Sequence, residues 1–256
     1  MITIKSPREI ELMRAAGKLA GECLQEMGKL VVEGATPLDI DRACHEWTLS
    51  KKAIPAPLNY KGFPNSLCVS VNDVVCHGIP NKRAFKNGDI VNLDVTPILN
   101  GYHGDCNATF IVGDVSDDLK KFVSTAYIAL WRGIKQVRPG NTLGDIGYAI
   151  QTLVQERGYS VVVDYCGHGI GKEFHEDPVV LHVGRPKQGI VIKEGMTFTI
   201  EPMINLGSYK TKVEKDGWTV RTIDGSLSAQ FEHTILVTAK GYEVLTLQPG
   251  EMEPKL

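Results

Sequence analysis

Residues 89–112 read DIVNLDVTPILNGYHGDCNATFIV, with runs of alternating apolar residues on either side of Asn100-Gly101. Asn-Gly between two such runs is typical of a two-residue β-hairpin loop. With that loop, Asp94 pairs with Asn107, and Asp105 lies on the same face two residues further along. Two unpartnered carboxylates placed in this way would repel each other and raise each other's pKa. The stretch therefore predicts a β-hairpin that holds a cation between Asp94 and Asp105.

The composition is that of an ordinary globular protein, with 256 residues of which 43% are hydrophobic and 23% are charged. Lysine and arginine number 28 against 30 aspartates and glutamates, and no long run of one sign indicates a nucleic-acid partner. No segment approaches the roughly 18 apolar residues of a membrane span, and charges within residues 1–19 exclude a secretory signal. The six cysteines form no C-x-x-C pair. We therefore expect a cytoplasmic protein without a membrane partner, folded as a single domain over residues 1–256.

The chain contains a faint internal repeat. Gly34-x-Thr36-x-x-Asp39-Ile40 recurs as Gly140-x-Thr142-x-x-Asp145-Ile146, and His77-Gly78-Ile79 recurs as His168-Gly169-Ile170. Two further motifs recur in the same order, one around a Lys-x-Gly turn and one where an acidic residue enters an apolar strand. Four matches in one order predict two related halves, roughly residues 1–110 and 115–240.

Each half is predicted to contain two helices followed by strands. The helices are expected over 7–27, 37–47, 116–137 and 142–158, with Ser6-Pro7-Arg8-Glu9 as a capping box at the first. Strands are expected over 67–71, 89–98, 106–112, 160–164, 196–204, 218–222, 230–237 and 242–245. This order predicts an α+β fold in which the helices pack on one face of a mainly antiparallel sheet. Without βαβ alternation or a G-x-G-x-x-G turn, a Rossmann fold is excluded.

Further candidate metal ligands lie in the second half of the sequence. Glu201 and Glu232 stand inside apolar strands, where a carboxylate is rarely buried without a partner. His168 lies in the glycine-rich segment CGHGIG, and glycines allow a backbone to approach a ligand closely. Together with Asp94 and Asp105 they form a hard set of oxygen and nitrogen donors, which suits two ions such as Mn²⁺, Fe²⁺ or Co²⁺. Such a pair of ions is typical of metal-assisted hydrolysis.

At this point the sequence closely resembles type I methionine aminopeptidase, a peptidase family with the pita-bread fold. The motifs that carry the resemblance are NLDVT at 92–96 with Gly104-Asp105, VCHGIP at 75–80, GHGIG at 167–171 and SAQFEHT at 228–234. The resemblance extends from the first helix to about Leu245. It implies an internally duplicated α+β domain that removes the initiator methionine when the second residue is small.

The resemblance also implies a role for each candidate ligand. Asp94 should bind one metal ion, Asp105 and Glu232 should bridge both ions, and His168 with Glu201 should complete the second site. Glu201 should in addition act as the general base, for which a carboxylate is basic enough once a metal has acidified the water. The implied cofactors are two divalent ions, drawn from Mn, Fe, Co or Zn.

Two histidines match residues that contact the substrate in this family. His175 matches the residue that contacts the peptide carbonyl, and His77 matches the one that reaches the scissile nitrogen. The remaining histidines have an ordinary structural interpretation; they are His45, His103, His182 and His233.

The methionine pocket implied by the resemblance consists of Tyr60, Phe63, Cys68, Phe174 and Trp218, with His77 at its edge. The family often has cysteine where this chain has Pro57, and often tyrosine at Phe63. These two departures affect the outline of the pocket. Family members also bind a monovalent cation, and the matching residues for one Na⁺ or K⁺ are Asn72, Val74 and Ser228.

The spacing of the motifs indicates the compact form of the family. The interval from His168 to Glu201 leaves no room for the helical insert of type II enzymes. Only five residues precede the first helix cap, so the zinc-binding extension of eukaryotic type I forms is not expected. The implied partners are the N-termini of nascent polypeptides, with contact near the ribosome exit as a hypothesis. The family also implies a monomer.

Three other interpretations stay open. The first is a pita-bread peptidase acting at proline, such as a prolidase or aminopeptidase P, which shares the ligand set but normally carries a large extra N-terminal domain. The second is a non-enzymatic pita-bread binding protein, in which metal ligands are lost. The third is a helix-rich binding protein whose acids hold a structural cation, for which no EF-hand spacing is present. Metal-dependent peptide cleavage would separate an enzyme from both binding proteins.

Overall fold

The computed structural model describes residues 1–254 and contains four α-helices in this part of the chain. They are α1 (Pro7–Gly28), α2 (Pro37–Ser50), α3 (Asp117–Ile134) and α4 (Leu143–Glu156). The capping box at Ser6 is confirmed, since its hydroxyl accepts from the Glu9 backbone N–H and the Glu9 carboxylate accepts from the Ser6 backbone. Helix α3 ends at Ile134, three residues before the predicted end at Val137.

The strands are short. They are β1 (Ile54–Pro55), β2 (Cys68–Val71), β3 (Val74–Cys76), β4 (Ile90–Val95), β5 (Pro97–Leu99), β6 (Tyr102–His103), β7 (Cys106–Ile111), β8 (Ser160–Val161), β9 (Gly167–Gly169), β10 (Glu176–Val180), β11 (Thr197–Ile200), β12 (Met203–Asn205), β13 (Thr211–Val213), β14 (Val220–Thr222), β15 (Ser228–Gln230), β16 (His233–Thr238) and β17 (Gly241–Val244).

Within residues 1–254 the strand pairings are all antiparallel and form five small sheets. The largest sheet has the order β10-β9-β11-β16-β17, and a second sheet places β4 between β2 and β7. The predicted hairpin is confirmed, because Asp94 pairs with Asn107 and Leu99 pairs with Tyr102 in one continuous register. Asn100 and Gly101 have φ values of 52° and 80°, as a two-residue turn of this kind requires.

Several predicted strands are divided or shortened in the structure, two of them at a candidate ligand. The predicted strand 196–204 divides at Glu201-Pro202, and the predicted strand 230–237 divides at Phe231-Glu232. The predicted strand 89–98 divides at Thr96, and 160–164 shortens to Ser160–Val161. A pattern of alternating apolar residues does not reveal these interruptions, because the pattern continues through them.

Two main apolar cores support the architecture. Helices α1 and α2 cover β2, β4 and β7 through residues that include Leu24, Ile40 and Leu93, all with no exposed surface. Helices α3 and α4 cover β11 and β16 through a larger cluster. Phe231 packs against both cores, and Asn107 forms an isolated bridge with Glu232 between β7 and the start of β16. The two predicted halves meet at this bridge, while their common origin stays a prediction.

Among residues 1–254, none of the helices has the length and apolar character needed to span a bilayer.

Candidate metal centre

A cavity of about 710 Å³ opens beside the bridge between Asn107 and Glu232. This cavity is lined by every residue that the sequence analysis assigned to the two divalent ions, to the peptide bond or to the methionine pocket. They are Asp94, Asp105, His168, Glu201, Glu232, His77, His175, Tyr60, Phe63, Cys68, Phe174 and Trp218. Residues far apart in the sequence thus meet at a single place, as the motifs predict.

The centre of the cavity is formed by Asp105, His168 and Glu232. One ligand atom of each lies within 4.8 Å of the others, a spacing at which they could hold a metal ion. Asp105 precedes β7, His168 is the middle residue of β9, and Glu232 precedes β16. The cluster is therefore assembled from residues within or directly before three separate strands.

The ligands that interrupt strands have their backbone N–H groups satisfied outside the sheet ladders. The N–H of Glu201 donates to His182 Nε2 at 3.1 Å, and that of Glu232 donates to the Asn107 carbonyl at 3.0 Å. The N–H of Asp105 donates to the Thr234 hydroxyl at 3.2 Å. Because a buried N–H needs a partner, these contacts allow the chain to leave the ladder and turn its carboxylates into the cavity.

The orientation of His168 fixes which ring nitrogen is available to a metal. Its Nδ1 lies 3.0 Å from the Gly169 carbonyl, which accepts only from an N–H, so the proton belongs on Nδ1. Nε2 then faces the acids, 3.5 Å from Asp105 Oδ2 and 3.7 Å from Glu201 Oε1. Burial opposes protonation of this ring, yet the Asp105 and Glu201 carboxylates outweigh it and raise the pKa of His168.

The glycines around His168 serve the packing of the sheet. A Cβ on Gly167 would collide with the Thr199 carbonyl, and a Cβ on Gly169 would collide with the Asp177 carbonyl. The sequence analysis expected a ligand to approach the backbone closely at these glycines. In the structure the neighbouring strands approach it instead, because β9 lies between β10 and β11.

Glu201 is held in place by two hydrogen bonds. The Thr199 hydroxyl donates to Oε1 at 2.7 Å, and Gln230 Nε2 donates to Oε2 at 3.3 Å. Burial raises the pKa of Glu201 to about 7, although the neighbouring His168 acts in the opposite direction. A carboxyl group with this pKa can exchange a proton near neutral pH.

The other acidic side chains have raised pKa values, because they are buried close together without a cation. Burial raises the pKa of Asp94 well above its usual range, and the Asp105 and Glu201 carboxylates raise it further. Burial and the same kind of repulsion raise the pKa of Glu232. Among the described residues, no lysine or arginine forms an ion pair with these acids; their basic neighbour is His168. A hard donor set that lacks a neutralising side chain fits divalent metal ions.

Polar side chains that the sequence analysis missed support the cluster. Asn107 Nδ2 donates to Glu232 Oε2 at 2.7 Å, and the Thr96 hydroxyl donates to Asp105 Oδ1 at 2.8 Å. Asn92 Nδ2 in turn donates to Asn107 Oδ1 at 2.9 Å. Asn92 and Thr96 lie inside the NLDVT motif, and the predicted register already placed Asn107 opposite Asp94, so these signals were present in the sequence.

His77 and His175 approach the cluster from opposite parts of the chain. The rings of His175 and His168 have centroids 4.1 Å apart, and the Tyr60 hydroxyl lies 2.9 Å from His175 Nδ1. Desolvation together with the nearby His168 lowers the pKa of His175 to about 4. Burial also lowers the pKa of His77, which packs edge-on against Tyr165 and Trp218. Both rings are therefore neutral at neutral pH.

Aromatic side chains wall the remainder of the cavity. Phe63 contacts Trp218 edge-to-face with centroids 5.2 Å apart, and Tyr60 packs against Phe174 at 4.9 Å. The lining also includes Cys76, Tyr165 and Met203, which the resemblance did not supply. Tyr165 stands only three residues before His168, and that proximity is the signal by which it could have been found.

The four histidines with a structural interpretation contact protein groups. His45 Nδ1 lies 2.8 Å from the Ser66 hydroxyl, and His233 Nδ1 lies 3.0 Å from that of Thr246. His103 Nδ1 lies 3.0 Å from the Gly171 carbonyl, and His182 accepts from the Glu201 N–H.

The residues proposed for a monovalent cation are not among those that line this cavity. The Ser228 N–H donates to the Asn72 carbonyl at 2.9 Å, and Val74 is buried nearby at the start of β3. The Ser228 hydroxyl oxygen is buried and has no hydrogen-bond partner among the described residues.

The family model that matches this chain is described as "Metallopeptidase family M24" and aligns with residues 11–239. The chain therefore belongs to this family of metallopeptidases.

Individual relatives show more narrowly where the chain belongs within this family. The chain is 53% identical over 253 residues to a methionine aminopeptidase of Rickettsia prowazekii (strain Madrid E), with 98% of each chain covered. It is 51% identical over 247 residues to methionine aminopeptidase A of Synechocystis sp., covering 96% of this chain and 98% of that one. A crystal structure of the Rickettsia prowazekii methionine aminopeptidase has a TM-score of 0.95 at 54% identity, covering 96% of this chain and 100% of that chain.

By this similarity the chain belongs to the methionine aminopeptidases. The expected pita-bread α+β fold is confirmed, and so is the expectation of a metal-dependent aminopeptidase. The Xaa-Pro peptidase and the non-enzymatic interpretations are not favoured.

Proposed function

We propose that the cavity binds the N-terminal methionine of new polypeptides, and that the chain hydrolyses the first peptide bond when the second residue is small. The observation that carries this proposal is the convergence of Asp105, His168 and Glu232 within 4.8 Å in a cavity walled by aromatic side chains. An apolar wall suits the methionine side chain, and the donor cluster suits the metal ions of a hydrolase.

Five side chains would hold two divalent ions. They are Asp94, Asp105, His168, Glu201 and Glu232, which would supply carboxylate oxygen and imidazole nitrogen ligands. When bound, such ions supply a Lewis acid for the scissile carbonyl and acidify a water molecule. Mn²⁺, Fe²⁺, Co²⁺ and Zn²⁺ remain the candidates, since the order of affinities and the availability of each ion decide between them.

Glu201 is proposed as the general base. Its carboxylate is oriented by the Thr199 hydroxyl and by Gln230, and the residue lines the cavity. It would take a proton from the attacking water and deliver it to the leaving amine. Bound cations would lower the pKa of Glu201 below its value in the metal-free chain, which keeps it ionised at neutral pH.

The two neutral histidines would act on the peptide bond. If His175 Nδ1 accepts from the Tyr60 hydroxyl, its proton resides on Nε2, which can donate to the carbonyl oxygen as negative charge develops. His77, held between Tyr165 and Trp218, would reach the scissile nitrogen. Neither step requires an imidazolium, in agreement with the lowered pKa values.

The methionine side chain would lie among Tyr60, Phe63, Cys68, Phe174 and Trp218. Phe63 brings no hydroxyl to this pocket, and it is almost fully buried against Trp218. A thioether packs well against aromatic rings, so this outline retains selectivity for methionine.

Further proposals concern the surroundings of the enzyme. One Na⁺ or K⁺ would bind near Asn72, Val74 and Ser228, because the buried Ser228 hydroxyl lacks a protein partner.

We propose in addition that the chain acts as a monomer in the cytoplasm, and that it meets its substrates near the ribosome exit. We also propose that residues 1–110 and 115–240 arose by duplication.

The proposed reaction is tested with the peptides Met-Ala-Ser and Met-Pro-Ala. The protein is stripped of metal, then assayed for methionine release with Mn²⁺, Co²⁺, Fe²⁺ or Zn²⁺. We expect release to require metal and to fall by at least ~10²-fold in Glu201→Ala, because the base is lost. Glu156→Ala, at an exposed glutamate near the end of α4, serves as the control and should keep full activity.

Two results would contradict this proposal in different ways. If calorimetry detects two bound ions but no methionine is released, the proposed metal ligands stand and the proposed substrate is rejected. Xaa-Pro peptides would then be assayed. Release that survives both chelation and the Glu201→Ala substitution would reject the mechanism.

A further inference from the structure

The loop between β9 and β10 carries two residues of the site. Residues 170–175 connect the two strands, and they bring Phe174 and His175 to the cavity. The strands pair only over a few residues, with an irregular register between Glu176 and Val179. Pairing of the strands therefore does not by itself fix where His175 points.

Glu176, the residue directly after His175, holds this loop together from within. Its Oε1 accepts from the Glu173 backbone N–H at 3.3 Å. The loop is further closed by a bond from the Gly171 N–H to the Glu173 carbonyl at 3.2 Å. His103 adds a bond to the Gly171 carbonyl and stacks on Phe174 with centroids 5.5 Å apart. The Glu176 carboxylate is thus part of the frame that supports His175.

The other oxygen of this carboxylate is bound by a lysine from the opposite end of the sequence. Lys5 Nζ lies 2.6 Å from Glu176 Oε2, and the Lys5 side chain is only 2% exposed. A buried ammonium group needs a charged partner, so this pair is far more constrained than a surface ion pair. Gly171 packs against both side chains, and a Cβ there would collide with Glu176 Oε1 and with the Lys5 side chain.

The backbone of Lys5 is anchored independently of its side chain. The Lys5 N–H donates to the Gly195 carbonyl at 2.8 Å, just before helix α1 begins. The segment therefore stays attached to the β11 side of the fold when the ammonium group is removed. This separation makes the role of the side chain testable without loss of the fold.

We propose that Lys5 is a positioning residue for His175, and that it acts through the Glu176 carboxylate and the loop 170–175. The N-terminal segment, which contributes nothing to the donor cluster, would in this way determine the placement of a substrate-contacting histidine. The proposal rests on the proposed function to the extent that His175 contacts the peptide carbonyl.

The test compares Lys5→Met, His175→Ala and the double variant, each loaded with Mn²⁺. Methionine has a similar length and is apolar, so it fills the buried channel without the charge. We expect Lys5→Met to lower kcat about tenfold, because a small displacement of a catalytic group is costly, while metal binding by calorimetry stays unchanged. In the His175→Ala background the Lys5 substitution should lower kcat no further, since the group it positions is absent.

A readout that does not depend on activity completes the experiment. Amide hydrogen exchange over residues 171–176 should become faster in Lys5→Met, while exchange over 94–107 stays the same. Lys29→Met serves as the matched control, because Lys29 pairs with Glu26 at the surface of α1 and should change neither measurement.

The outcomes separate this proposal from the proposed function. Equal kcat losses in the wild-type and His175→Ala backgrounds, or unchanged exchange over 171–176, would overturn the role of Lys5. Faster exchange over 171–176 in a protein that never releases methionine would instead count against the proposed reaction. Glu176→Gln, which keeps an acceptor for the Glu173 N–H but removes the charge, should reproduce the loss of kcat.

Discussion

The Ser228 hydroxyl is buried without a protein partner, and it gives the cation proposal a test at the scale of one residue. We expect the melting temperature to be higher in NaCl or KCl than in tetramethylammonium chloride of equal ionic strength, because a bound cation stabilises the folded state. Ser228→Ala should lose most of this difference. Ser50→Ala, at an exposed hydroxyl, should retain it. Equal melting temperatures of the wild type in all three salts would contradict the cation site.

Residue types alone predicted the candidate metal ligands, whereas His77, His175 and the methionine pocket came from the resemblance to the family. Acidic residues within apolar strands and a histidine among glycines stand out, because a buried charge is costly without a partner. The supporting contacts were harder to predict. Thr199 and Gln230 orient Glu201, yet both are ordinary strand residues in the sequence. Their roles depend on which atoms lie within hydrogen-bond distance, and local patterns carry no such information.

The hairpin between β5 and β6 allows a prediction at the scale of an element. Gly101 has a φ of 80° with no atom near the position of a Cβ, so only backbone strain opposes a side chain there. Gly101→Ala should lower the free energy of unfolding by about 1 kcal/mol. Activity below the melting temperature should stay within about twofold, since the register of β4 with β7 is also held by its own ladder.

The neighbouring Asn100 provides the control for the hairpin. It has a φ of 52°, so Asn100→Gly relieves strain at that position and should change stability little. Urea denaturation of both variants measures the effect. A larger loss in Asn100→Gly than in Gly101→Ala would contradict the assigned turn geometry.

The elements also show where sequence patterns fail. Strand β9 was not predicted, because Gly167-His168-Gly169 has neither alternation nor β-branched residues. The glycines are nevertheless required, because the backbones of the strands on either side approach closely. The interruptions at Glu201 and Glu232 were also missed, since they are stabilised by distant partners such as His182 and Asn107.

The gathered acids make the stability of the whole molecule depend on pH when metal is absent. The folded-state pKa of Glu201 is raised from 4.5 to about 7, so the metal-free folded chain binds more protons than the unfolded chain between these values. The stability that this proton provides is complete below pH 4.5 and is lost as the pH rises through 7. Glu201 alone should reduce the free energy of unfolding by roughly 3 kcal/mol over this interval. Asp94 and Glu232 act in the same direction.

Urea denaturation of the chelated protein between pH 4.5 and 8 measures this effect. Glu201→Gln cannot titrate at that position, so its stability should fall less steeply with pH. Added Mn²⁺ should reverse the trend, because metal binding strengthens as its ligands lose protons. The lowered pKa values of His77 and His175 act in the opposite direction in both proteins, so the comparison between them isolates Glu201. The same pH dependence in the wild type and in Glu201→Gln would contradict the electrostatics assigned to Glu201.

Local sequence patterns predicted the α+β fold class and the hairpin register, which the structure confirms, and they led to the proposal of the charged metal ligands. These follow from local rules, since apolar spacing, turn residues and buried charges each leave a signature within a short stretch. The contacts that support the site depend on the tertiary fold. They are the strand interruptions, the polar partners of the acids, and the ion pair that links Lys5 to the loop of His175. The physical reason is that hydrogen bonds and ion pairs act over a few ångströms between residues that can be more than a hundred positions apart. Their partners become neighbours only after the chain has packed.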